Sequence, residues 1–262
     1  RYLFGGEQNI GLQGYTFAEY ARRGYGELMA VGVLSLILLL ALGAFTRRTS
    51  VRQQHVFSGM SILVVLLVGI MLVSAGMRLG LYETAYGFTR LRTYAHVALF
   101  WLGLLLAGAV VLEVLRRERH LAAFGLMAAV GFALTLSLLD VDAFIVRQNV
   151  ARAVRGQALD VPHLATLSTD SVPALAVLFE AASTPMEVKT DLGAALACRL
   201  GRPQYGSPPG WRSFAFSRWR SEQALSAVSD QLTGFRFLRT DGLGRVRSPD
   251  GQWYDCTPGQ YH

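Results

Sequence analysis

Polar and apolar residues fall into long separate blocks along this chain. Four runs are almost free of charge: Leu28–Phe45, Val56–Met77, Ala95–Leu115 and Leu121–Leu139. About 20 apolar residues rising ~1.5 Å each cross a ~30 Å hydrocarbon core. Uncharged runs of this length have few soluble alternatives. The pattern therefore predicts transmembrane helices at about 25–45, 56–77, 95–115 and 121–139. Residues 1–24 read as an interfacial lead-in, Gly-rich and aromatic at first. Thr16 and Glu19 then fit a capping box that starts a helix at Phe17. Arg47, Arg48 and Arg52 are expected to stop the first span.

Beyond residue 139 the pattern shortens to amphipathic helices. Asp142 is placed to cap AFIVRQNVARAVRG, which closes at Gly156. Val161–Leu167 is a short helix. Asp170 or Ser171 caps the next, with Pro173 in its first turn and Leu175, Leu178 and Phe179 on its apolar face. Thr184 and Glu187 form a second capping box, whose helix ends at Gly201. A Pro/Gly linker follows over residues 201–210, and Ser217 caps a helix running to Leu232. Phe235–Thr240, Gly244–Ser248 and Gln252–Asp255 alternate between turns, as a β-hairpin or small meander does. The fold class is mainly α: a four-helix transmembrane bundle over 25–139, a small helical extramembrane domain over 140–232, and a β-hairpin tail over 233–262.

Composition agrees with a membrane setting. The chain is 52% hydrophobic and 16% charged, with mean hydropathy +0.33, too apolar for an ordinary soluble domain. The net charge of +7 is uneven: residues 1–139 hold 12 Arg against 6 Glu, and residues 140–262 hold 13 Lys and Arg against 12 Asp and Glu. The excess lies at the ends of apolar runs, where it meets lipid headgroups and sets topology rather than binding nucleic acid. The connectors at 46–55 and 116–120 carry three Arg each. The arginines on the other side are interleaved with Glu and Tyr and read as engaged in structure, so we place those two tight turns in the cytoplasm and the C-terminal domain outside it. The chain begins at Arg1 rather than Met, and no three-part signal peptide is visible.

Met77–Tyr94 joins the second and third runs with Arg78, Arg90, Arg92, Glu83, Tyr82, Tyr86 and Tyr94. Tyrosine rings and arginine forks suit a membrane–water boundary. The stretch reads as an interfacial loop, or as a docking plate for neighbouring segments. Trp211, Arg212, Arg218, Trp219 and Arg220 form a second aromatic and basic cluster, suited to internal docking or to anionic headgroups.

Several motifs occur in a familiar order: YLFGG at 2–6, TFAEYARRGYGEL at 16–28, LYETAYGFTRLR at 81–92, DAFIVRQNVAR at 142–152, LSTDSVP at 167–173 and WRSFAFSRWR at 211–220. Over residues 1–225 the chain resembles a bacterial family of multi-pass membrane proteins with no established activity. The resemblance implies an inner-membrane location and that this chain is the C-terminal portion of such a protein or a shortened relative. It implies no reaction.

Candidate chemistry is sparse. Asp140, Asp142 and Asp170 could form a carboxylate cluster for a metal, but Asp142 and Asp170 already have capping roles, and capping is the better reading. His55, His96, His120 and His163 lack the company of a haem or metal site, which leaves a pigment-carrying subunit as a minor alternative. No metal or cofactor is expected. Cys198 and Cys256 are the only cysteines: a disulfide if the domain is extracytoplasmic, two thiols if it is not. The centres of the spans hold no charged residue or His, and no P-loop, GxSxG or HExxH occurs. Gly125, Ala129, Ala133 and Ser137 make a smooth face on the fourth span, and Gly76 and Gly80 a GxxxG on the second. The reading that follows is a non-enzymatic scaffold or accessory subunit, with membrane lipids and other membrane subunits as partners. The alternative is an enzyme or sensor for a lipid or envelope substrate at the 77–94 face.

Overall fold

The computed structural model describes residues 17–46, 49–201, 216–240 and 243–257. It divides into two compact units, Arg1–Leu139 and Asp140–His262. The Thr16 capping box, Arg47, Arg48, the 202–210 linker, Trp211 and Arg212 lie outside the described residues.

The first unit is built from α1 (Phe17–Phe45), α2 (Val51–Tyr86), α3 (Arg90–Val114) and α4 (Leu121–Leu138), with a 3-10 turn at Glu118–His120 before α4. All four helices are long and apolar enough to cross a membrane. The surface confirms what the composition implies. Leu34, Leu66, Phe100, Leu126 and Met127 are all more than 60% exposed, an arrangement suited to lipid rather than water. The core lies between α1, α2 and α3, where Leu28, Val68, Leu72, Ala75, Leu79, Leu99, Leu102 and Leu106 pack together.

α2 is longer than its apolar run at both ends. It starts at Val51 because Ser50 and Gln53 form a reciprocal capping box, so Arg52, expected in the connector that stops the first span, lies inside α2. It also continues through Met77–Tyr86, correcting the expectation of a loop there. Only Gly87–Thr89 separates α2 from α3. Gly87 makes the break at φ 80°, ψ 174°, and its N–H donates to the Glu83 carbonyl at 2.8 Å.

α4 packs against α3 by ring-over-glycine contacts. A Cβ on Gly108 would lie 2.2 Å from the Phe124 ring, and one on Gly131 would lie 2.1 Å from Trp101 Cη2. Trp101 Nε1 also donates to Thr135 Oγ1 at 3.2 Å.

The second unit contains α5 (Val141–Val154), α6 (Val161–Thr166), α7 (Ser171–Glu180), α8 (Met186–Leu200) and α9 (Phe216–Val228). A 3-10 turn at Ser229–Leu232 follows, then β1 (Arg236–Thr240), β2 (Leu243–Arg247) and β3 (Trp253–Asp255). The strands form an antiparallel meander in the order β1-β2-β3. α8 is central: every residue from Leu192 to Arg199 is buried, against helices on one side and strands on the other. Cys198 and Cys256 are joined by a disulfide, 58 residues apart in sequence.

The caps differ from the sequence expectation in three places. Asp140, in the left-handed conformation at φ 44°, caps α5 through Ala143 N–H, and Asp142 falls in the first turn. At α8 the N-cap position belongs to Pro185, since Thr184 turns its hydroxyl back to the Leu178 carbonyl at 2.8 Å. Ser217 is inside α9, where its hydroxyl meets Thr169 Oγ1 at 2.9 Å. That helix passes into 3-10 geometry after Val228 rather than staying α-helical to Leu232.

Candidate functional site

The polar residues of the 77–94 stretch gather at the α2–α3 corner. Arg78, Tyr82 and Tyr86 recur every four residues on α2, so they share one face. The nine residues from Arg78 to Tyr86 carry α2 about 13 Å beyond its apolar run, to the depth where Tyr and Arg belong. Arg92, on the first turn of α3, reaches back. Its guanidinium lies 4.0 Å from the Tyr82 ring centroid and donates to the Gly87 carbonyl. Tyr82 and Tyr86 stand 5.0 Å apart with tilted rings.

Beneath this layer, Glu83 is only 3% exposed and its Oε1 stands 3.2 Å from His96 Nδ1. A carboxylate withdrawn from water needs such a donor. Arg78 is also buried, at 4% exposure, and Tyr25 of α1 donates to the Ala95 carbonyl at 3.4 Å. Arg90 lies on the outside, with Leu91 and Tyr94 beside it in sequence and also exposed. The corner thus couples α2 to α3 through a cation–π contact and a contact between the buried Glu83 carboxylate and the part-exposed His96 imidazole. From sequence alone His96 is only a histidine without the company of a haem or metal site. A Glu late in one helix and a His seven residues into the next was the available signal, but it depends on the helical continuation to Tyr86.

A second polar centre organises the helical unit. Arg199, 1% exposed, directs its guanidinium at the carbonyls of Leu164 (3.3 Å), Leu167 and Ser168 (3.3 Å) and at Ser171 Oγ (3.2 Å). Asp142 Oδ2 accepts from Ser168 N–H at 2.7 Å. Together they fix the Leu167–Ser171 loop from both sides, satisfying carbonyls left over at the end of α6. The DAFIVRQNVAR and LSTDSVP segments meet here through Asp142 and Ser168. This is a positioning device, and it occupies the aspartate that the sequence had assigned to a cap.

The remaining predicted positions are dispersed. Arg218 pairs with Glu222 at 2.9 Å on α9, while Phe216 and Trp219 stack at 5.6 Å on an exposed surface. Gly76 faces Leu99 at ordinary contact distance, and Gly80 has nothing near its missing Cβ. On α4, Ala129, Ala133 and Ser137 are exposed, and Gly125 has open space around it. The contacts with α3 come from Phe124, Gly131 and Thr135 instead. Among the described residues no group of three or more His, Cys, Asp or Glu could hold a metal ion.

On this framework of four span-length helices and a small helical domain, the comparison with known families is informative about kinship. A family model described as Domain of unknown function (DUF4153) matches residues 1–178, more than half of the chain. The chain belongs to that family. The matched region takes in the whole first unit and the second as far as α7. No curated protein and no solved structure matches the chain.

Proposed function

We propose that this membrane protein is a non-enzymatic scaffold or accessory subunit, which offers the small-residue face of α4 to another membrane subunit. The observation that carries the reading is the state of that helix. Ala128 is its one buried residue, and the row Gly125, Ala129, Ala133 and Ser137 is turned away from α3. Small residues at four-residue spacing allow close backbone approach between helices in lipid, where packing rather than hydrophobicity drives association. A purely lipid-facing surface has no such requirement.

The proposal includes a bacterial inner-membrane location with the second unit outside the cytoplasm. The Cys198–Cys256 bond supports that side, since structural disulfides persist in oxidising compartments. The test is to replace Ala129 and Ala133 together with Leu and to compare native membranes solubilised in mild detergent. The native chain is expected to migrate in a complex of fixed composition, and the variant as a folded, lone protein. Identical migration of both would remove α4 as the contact face.

A further inference from the structure

The meander of the second unit has two faces of opposite character. Strand side chains alternate between faces, and the register sets Phe237 opposite Val246 and Val246 opposite Tyr254. That face is turned to α8. Val246 is fully buried, a Cβ on Gly201 would meet the Phe237 ring at 2.4 Å, and the Tyr254 hydroxyl donates to Asp191. The other face carries Arg236 and Leu238 of β1, Arg245 and Arg247 of β2, and Trp253 and Asp255 of β3, all of them exposed. The carboxylate in this set is engaged, since Asp255 accepts from Arg245 at 2.7 Å. Arg236 and Arg247 stand directly opposite each other, a pairing of like charges that costs stability. Both line a recess of about 320 Å³, together with Ser248. The Arg247 guanidinium lies 5.7 Å from the Trp253 ring centroid, and Trp253 and Leu238 are 54% and 47% exposed. Residues 140–262 are almost neutral in sum, with 13 Lys and Arg against 12 Asp and Glu. The positive face is therefore a local feature and does not follow from bulk charge.

We propose that this outer face binds the surface of an anionic bilayer, with a lipid phosphate between Arg236 and Arg247. An anion between the two forks turns their repulsion into charge-assisted contacts. Trp253 and Leu238 supply the apolar body that a headgroup layer accepts, and exposed Trp beside Arg is the residue mix of a membrane boundary. Single-stranded nucleic acid is also held by aromatic and basic residues. Lipid is favoured because four span-length helices hold this chain at a bilayer, where lipid phosphate is present at high effective concentration. The family model ends at residue 178, so this face lies beyond the matched region.

The test holds the full chain in nanodiscs of phosphatidylcholine and measures its co-sedimentation with added vesicles, made of phosphatidylcholine alone or with phosphatidylglycerol. An arginine near an anionic surface contributes about fivefold in affinity, and two contribute about 25-fold. We expect the native chain to prefer the phosphatidylglycerol vesicles by at least that factor, and Arg236→Gln with Arg247→Gln to lose about 25-fold. Arg155→Gln with Lys189→Gln removes the same charge elsewhere in the unit and should leave binding unchanged. Brominated phosphatidylglycerol gives a second readout that serves if the arginine variant does not fold: it should quench tryptophan fluorescence of the native chain, and Trp253→Phe should lose that quenching. Equal binding to both vesicles overturns the proposal, as does quenching that Trp253→Phe leaves intact. So does an equal loss in the two charge variants, which would reduce the effect to net charge. Full competition by inorganic phosphate would make the occupant a soluble anion, and tighter capture of a single-stranded oligonucleotide would make it nucleic acid; either result also overturns it.

Discussion

Tyr254 and Asp191 show how single residues join strand to helix in the second unit. The Tyr254 hydroxyl of β3 donates to Asp191 Oδ1 of α8 at 2.9 Å. Burial, then the hydrogen bond to Asp191, raises the Tyr254 phenol above its ordinary value of 10. Its stabilising contribution is therefore complete below pH 10 and is lost as pH rises through the higher folded value. Burial raises Asp191 as well, while the Tyr254 hydrogen bond pulls it down. Its protonated form is favoured by folding, so its contribution is lost as pH rises through the carboxylate range. Tyr254→Phe should flatten the alkaline loss of stability, and should raise Asp191 further by removing the one group that lowers it. Denaturant midpoints followed from neutral pH to pH ~11 check the first, and carboxylate titration by NMR checks the second. An unchanged alkaline limb would show that the phenol does not govern it. At this scale the sequence was a poor guide. Asp142 is a good N-cap by type, but Asp140 takes the cap and Asp142 is held by Ser168, 26 residues away. The Glu83–His96 and Arg199 contacts are likewise tertiary, and no local pattern encodes them.

Among elements, the α3–α4 interface rests on two rings seated over glycines. Gly131→Val places side-chain atoms where Trp101 now sits. Overpacking of this kind costs about 1–3 kcal/mol. The predicted result is a lower melting temperature in detergent and faster proteolysis at the 115–120 turn, with Gly125→Ala, which has open space, close to neutral. The Cys198–Cys256 bond closes a loop of 58 residues onto the central helix. On a chain-entropy estimate it stabilises the second unit by about 4 kcal/mol. Cys256→Ser should show a loss of that order in chemical unfolding, and the C-terminal strands should become the first segment digested. The four spans were legible because hydropathy over twenty residues does not depend on neighbours. Their limits were less so. Ser50 and Gln53 extend α2 backward through Arg52, and the stretch to Tyr86 stays helical because its polar residues have helical spacing and satisfy one another across the corner. Pattern alone could not separate a polar helix from a polar loop.

For the whole molecule, two compact units share one chain, and the first has a surface made for lipid. The fold class was readable from composition and periodicity, including the short strands after residue 233. The contact face was not. The row Gly125, Ala129, Ala133 and Ser137 was visible in sequence, but whether α3 covers it depends on how Trp101 and Phe124 seat α4. The most direct measurement is photo-crosslinking from α4 in native membranes, with the reactive residue placed in turn at Ala129, Ala133, Leu126 and Val130. The account predicts one protein adduct of defined mass from Ala129 and Ala133, and lipid adducts from Leu126 and Val130. Lipid adducts from all four positions would contradict it, leaving α4 a membrane anchor and the scaffold reading without its contact.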